Sequence, residues 1–251
     1  MNPEVASNYD MNYVVLSFVI ACFGSFVALS SARRIVGLDK RVNRFELLLA
    51  TLALGGIGVW TMHFIGMVAL KIDLRVGYSL GETIISLLVV CLATGFSLAY
   101  VAKAPANIGR LLTAGVVLGL GVGVMHYLGM YGMRFGGYID WSIPVVAVSI
   151  LIAVVAATAA LWLAFNTNSL LIRLIAALVM GVAVCAMHYT GMSAASFVCT
   201  TADRLAQPVG FGVIPSSSLS VVVMLMSIGM AIVLSIDLFM QNVLLAHKQK
   251  Q

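Results

Sequence analysis

Polar and apolar residues are segregated along this chain. Seven long apolar stretches, at about 11–32, 45–70, 80–102, 111–132, 143–165, 174–196 and 218–240, are separated by short segments that hold most of the charge. A helix that crosses a hydrocarbon layer needs about 20 apolar residues at 1.5 Å of rise each, and every stretch reaches that length. Spanning strands would instead appear as segments of about 10 residues with alternating polarity, so a β-barrel is excluded as the expectation. The expected fold class is all-α: a transmembrane bundle of seven helices.

Composition agrees, with 62% hydrophobic and 9% charged residues. The few charges set an expected orientation. Arg33, Arg34, Lys40, Arg41, Arg44, Lys103, Arg110, Arg173, Lys248 and Lys250 fall on one side of the seven spans, and only Lys71, Arg75, Arg134 and Arg204 on the other. The excess of Lys and Arg marks the cytoplasmic face, so the N-terminus is expected outside and the C-terminus inside. The net charge of +5 is then a topology signal and gives no reason to invoke nucleic acid. The basic segment RRIVGLDKRVNR is expected to lie against lipid headgroups. The opening MNPEVASNYD has no basic residue, so the first span is not expected to be a cleaved signal peptide.

One polar intrusion recurs within the apolar stretches. MHFIGM stands at Met62–Met67, MHYLGM at Met125–Met130 and MHYTGM at Met187–Met192, and these take three of the four histidines. His63, His126 and His188 are 63 and 62 residues apart, one helix pair with its loops, so the chain divides into three repeated helix pairs plus a seventh helix. The repeats share more than histidine. Gly56, Gly119 and Gly181 stand seven residues earlier, Gly58, Gly121 and Ala183 five earlier, and Val59, Val122 and Val184 four earlier. Each motif falls on an even-numbered helix of the same direction, so all three histidines are expected at one depth near the outer ends. Small residues at fixed places allow those helices to approach closely.

Within each motif the histidine and the second methionine are four residues apart and share a helical face. The candidate metal ligands are therefore His63, His126 and His188 with Met62, Met67, Met125, Met130, Met187 and Met192. Imidazole with thioether favours copper, Cu(I) in particular, over cations that require oxygen donors. Zinc is open to the histidines, with Cys185, three residues before His188, as an optional ligand. Haem with histidine or methionine axial ligands is a further alternative, although three equivalent histidines do not divide into axial pairs. A lone buried histidine is usually a packed core group, and a methionine at helical spacing is usually packing. Three copies at matched depth outweigh that interpretation, and an ionisable group inside a bilayer is a functional candidate.

These residues resemble the MHYT-domain family of bacterial membrane sensors. MHYTGM carries the signature intact, MHYLGM has Leu128 for Thr, and MHFIGM has Phe64 and Ile65 for Tyr and Thr. The resemblance covers nearly the whole chain. It implies an inner-membrane, multi-pass sensor with a copper site near the periplasmic face, sensing oxygen, carbon monoxide, nitric oxide or redox state. It also implies signalling to a cytoplasmic partner or a fused output domain. A copper-acquiring or copper-delivering protein is the other function considered. The sensory domain is expected over residues 1–240, with 241–251 as a cytoplasmic tail or the start of a linker, where His247 lies away from the motifs.

No enzyme signature is present: there is no phosphate-cradling loop, Ser/His/Asp set or pair of intramembrane carboxylates. Cys22, Cys91, Cys185 and Cys199 have no paired spacing that would indicate a disulfide framework. Polar residues near the outer helix ends, namely Asp73, Arg75, Tyr78, Glu82, Arg134, Tyr138, Asp140, Trp141, Asp203 and Arg204, are expected as interface anchors or as support for the site. Glu46, at the inner start of the second span, is expected to reach water.

Overall fold

The structure is a computed structural model that describes residues 5–36, 41–166 and 169–248. Six helices are long and apolar enough to cross a membrane: α1 (Met11–Ala32), α2 (Arg44–Ala69), α3 (Leu80–Ala102), α4 (Ile108–Tyr131), α5 (Ile143–Asn166) and α6 (Leu170–Ser193). A seventh, α7 (Ser216–Lys248), follows. The all-α bundle expected from the apolar stretches is therefore present, with α1 to α6 within about four residues of their predicted bounds and α7 continuing eight residues past residue 240.

Short polar side chains start these helices. Asp10, Asn43, Asn107 and Ser169 precede α1, α2, α4 and α6, and each accepts from a backbone N–H of the first turn, as in Asn43 Oδ1 from Phe45 at 3.0 Å. Such a cap satisfies donors that a helix start leaves unpaired, which matters more where water is scarce.

Helices α1 to α6 form a closed ring in which each packs on its sequence neighbours and α6 returns to α1, while α7 lies against α2. This leaves α2 the most enclosed element: 89% of its apolar window is buried, against 17–50% in the other five. Close approach is made at glycines. A Cβ on Gly24 of α1 would lie 2.6 Å from Gly58 Cα of α2, and one on Gly119 of α4 would lie 2.7 Å from the Val154 nitrogen of α5. Both sites exclude any larger residue without separating the helices.

Two features were not foreseen. Residues Leu52–Thr61 of α2 form a π-helix that ends immediately before the first motif, and no other described span contains one. At one end of the bundle, seven short strands make three small sheets. These are β1 (Ser7–Tyr9) with β2 (Leu70–Ile72), then β3 (Gly77–Ser79) between β4 (Met133–Arg134) and β7 (Val213–Pro215), and β5 (Gly137–Trp141) with β6 (Ala195–Cys199). All pairings are antiparallel. Helices α2, α4 and α6 each run out into one of these strands, so the motif histidines lie beneath a strand-built cover.

Glu46 departs from expectation. It is 6% exposed, and its carboxylate accepts from Arg34 Nε at 2.8 Å. The inner ends of α1 and α2 close over it, so the charge is neutralised by a neighbouring helix instead of by water.

Candidate metal centre

The geometry of the repeats brings the three histidines to one point. Each is 1% exposed, and their Nδ1 atoms form a triangle: His63 to His188 at 3.1 Å, His126 to His63 at 3.1 Å and His188 to His126 at 3.2 Å. Ring centroids are 4.9–5.1 Å apart with planes near perpendicular, so the imidazoles meet edge to face about a common axis. Among the described residues this is the one group of three or more His, Cys, Asp or Glu donors able to hold an ion, and Cys185 is outside it.

The third residue after each histidine is a glycine, and its purpose becomes clear across the ring. Gly129 lies against the ring of His63, Gly191 against that of His126 and Gly66 against that of His188. An added Cβ would fall on Nε2 in every case, and would stand 3.1, 2.9 and 2.7 Å from the respective Cδ2 atoms. Each repeat thus supplies the floor for another repeat's histidine, in a closed cycle. All six motif methionines are 2% exposed or less.

The triangle has an electrostatic problem in its bare form. A neutral imidazole nitrogen either carries a hydrogen or offers a lone pair. Around a ring of three, donors and acceptors cannot alternate, so at least one edge sets like against like. The Nε2 atoms are buried and have no hydrogen-bond partner. A cation that accepts the three Nδ1 lone pairs removes the clash at the centre and fixes the hydrogen of each ring on Nε2, which faces a glycine. The residues present fit such an ion: metal–nitrogen bonds of about 2.0–2.1 Å in a tetrahedral field put ligands roughly 3.3–3.4 Å apart. The observed triangle is close to one face of that tetrahedron.

Aromatic residues surround the triad in the same threefold pattern. Phe64, Tyr127 and Tyr189 each stand 4.8 Å from the preceding histidine ring. Each then meets a further ring from the strand cover or its edge: Tyr78 at 6.2 Å, Trp141 at 5.4 Å and Tyr9 at 5.7 Å. The Tyr189 hydroxyl is 2.9 Å from Ser17 Oγ, and Tyr127 pairs with Ser149 Oγ, so these phenols tie α6 to α1 and α4 to α5. Of the polar residues near the outer helix ends, Tyr78 and Trp141 pack on the motif aromatics. Asp73 and Arg204 pair with each other at 3.2 Å in an exposed position, and Glu82 bonds Ser79 and Arg134. Tyr9 was missed in the sequence, where its place two residues before the first apolar stretch was its only mark. The side chain of His247 lies outside the described residues.

Comparison with known proteins places these repeats in context. The family model described as "MHYT: Bacterial signalling protein N terminal repeat" matches twice, at residues 56–114 and 119–177. Each match opens on the glycine seven residues before a motif histidine. The chain is 38% identical over 196 residues to the bifunctional diguanylate cyclase/cyclic di-GMP phosphodiesterase MucR of Pseudomonas aeruginosa, covering 76% of this chain and 28% of that one. It is 30% identical over 201 residues to the signaling protein YkoW of Bacillus subtilis, covering 77% and 25%. It is 32% identical over 192 residues to the cyclic di-GMP phosphodiesterase NbdA of Pseudomonas aeruginosa, covering 74% and 24%. The matched region thus spans about a quarter of the length of these relatives. No solved structure matches.

Proposed function

The chain belongs to the MHYT family of bacterial signalling proteins, and on that footing we propose that it is a sensory unit of the inner membrane whose three histidines hold copper near the periplasmic face. The observation that carries this reading is the Nδ1 triangle of His63, His126 and His188, sealed from water and with three edges that cannot all be hydrogen bonds between neutral imidazoles. Three imidazoles with thioether sulfur around them suit copper, and Met62, Met67, Met125, Met130, Met187 and Met192 are the sulfur donors considered for it. When bound, copper supplies an open coordination position for a diatomic molecule and a one-electron redox couple.

The rest belongs to the chain's own residues. The imidazoles stay neutral as ligands and are held from behind by glycine backbone. The methionines and the strand cover exclude water, and the phenols of Tyr127 and Tyr189 connect the triad to α5 and α1. The ligand sensed is oxygen, carbon monoxide or nitric oxide, or the redox state of the site. A change there alters the packing of α2, and α7, which lies against α2 and continues to Lys248, carries it to the cytoplasm. The cyclic di-GMP chemistry named for MucR and NbdA belongs to a fused or separate output partner, and this chain's part is the sensing.

Rings packed 4.9–5.1 Å apart favour a single ion over a porphyrin, which needs a flat slot between its axial ligands. Metal analysis with an optical spectrum of the purified protein tests the proposal. Copper lost on His63→Ala, His126→Ala or His188→Ala and kept on His247→Ala supports it. A Soret band with stoichiometric iron, or failure to take up Cu(I), overturns it.

A further inference from the structure

The bundle is not solid beside the triad. A cavity of about 60 Å³ lies among α2, α4, α5 and α6, and its lining is entirely Ala, Val, Leu and Met. Three of the lining residues are Val59, Val122 and Val184, the positions four before the motif histidines, and a fourth is Met187, directly before His188. The inner end of the cavity therefore stands one helical turn from the imidazoles, on the face they share. Its other end lies between α5 and α6, where Ala159 and Val179 are exposed on the outside of the bundle. In a membrane that outside is hydrocarbon.

Two physical limits define what fits. Water occupies about 30 Å³ and needs 2–4 polar partners, and this lining offers none, so such a cavity stays dry. Ions are excluded more strongly still. The volume and chemistry leave small apolar molecules, which dissolve better in hydrocarbon than in water. On the strand side Met67, Met130, Met192 and Tyr78 are 2% exposed or less, and the recess there, which reaches Met130, is lined in part by Arg134 and Tyr138 and so is polar where this cavity is apolar.

We propose that a diatomic gas reaches the triad from the lipid, passing between α5 and α6 and occupying this cavity before it meets the site. The proposal rests on the sensor reading above for its endpoint, although the cavity's capacity for an apolar gas does not depend on a metal. Alanines of α5 make the space. Ala153, Ala157 and Ala160 line it at positions where a longer side chain would fill it.

Xenon is the probe that separates the two readings. Xenon NMR on the full chain in lipid nanodiscs should give saturable exchange in the wild type, lost in Ala157→Phe and reduced in the gentler Ala160→Leu. In copper-loaded protein, carbon monoxide rebinding after photolysis should slow several-fold in both variants with copper content unchanged. Non-saturable xenon exchange, or exchange identical in the filled variants, overturns the proposal. So does unaltered carbon monoxide rebinding in a variant that has lost xenon. Should the protein take up no copper, the sensor reading fails and the xenon result alone decides whether the cavity admits gas.

Discussion

At the scale of single residues, glycine makes as sharp a claim as histidine. Gly66, Gly129 and Gly191 are not ligands, yet each lies where a methyl group would displace an imidazole. Gly129→Ala should therefore cost about 1–3 kcal/mol of stability through overpacking, and should weaken copper retention although every donor remains. Equilibrium competition with a chelator, compared with thermal unfolding of the same variant, checks both parts. The phenols make a smaller claim. Tyr127→Phe leaves the ring on His126 and Trp141 and removes one hydroxyl, so a loss of about 1 kcal/mol is expected, with copper still bound. Burial pushes the Tyr78 phenol above its ordinary value, so the native state keeps that proton while the unfolded chain releases it. The wild type should accordingly lose stability as pH rises above about 10, and Tyr78→Phe should lose less over the same range, as measured by unfolding in detergent.

At the scale of elements, the spans were legible in the sequence because the membrane asks a one-dimensional question. A stretch either holds enough consecutive apolar residues or it does not, and α1 begins and ends at the residues expected. The strands were not legible, since β3 and β4 are two or three residues long and draw their pairing from neighbours more than fifty residues away. Nor was the π-helix at Leu52–Thr61. LALGGIGVWT carries the same small apolar residues as its counterparts, and its wide turns depend on what surrounds it: Gly24 against Gly58, and Trp60 donating to Ser86 Oγ at 3.1 Å. Wide turns of this kind occur often at functional sites, and this one ends where His63 begins its motif. Gly24→Ala should force α1 off α2 and cost about 1–3 kcal/mol. If the π segment transmits to the triad, the same variant should also alter copper retention, which chelator competition would detect.

At the scale of the whole molecule, the repeat was visible in the sequence and its symmetry was not. Equal spacing of His63, His126 and His188 gave equal depth, but nothing in a linear pattern states that three helices turn the same face to one axis. The ring α1 to α6 supplies that. The methionine sulfurs were legible as candidates only, because a thioether at helical spacing serves packing and ligation equally well. The closed ring also carries an expectation about pH. Imidazole binds an ion only when neutral, so copper loading of the intact protein should fall on acidification and recover on return to neutral pH, provided the bundle remains folded by circular dichroism.

The cycle of glycine floors has a consequence for how the protein is made. His63 enters the membrane with the first helix pair, but its floor, Gly129, arrives with the second, and the floor of His126 with the third. Gly66, already in place, waits for His188. A chain of two pairs has His63 on its glycine, His126 without one and the third imidazole still missing. The full set of three imidazoles would thus exist only when synthesis has delivered the third pair, and a chain stalled before α6 would offer a metal two of them.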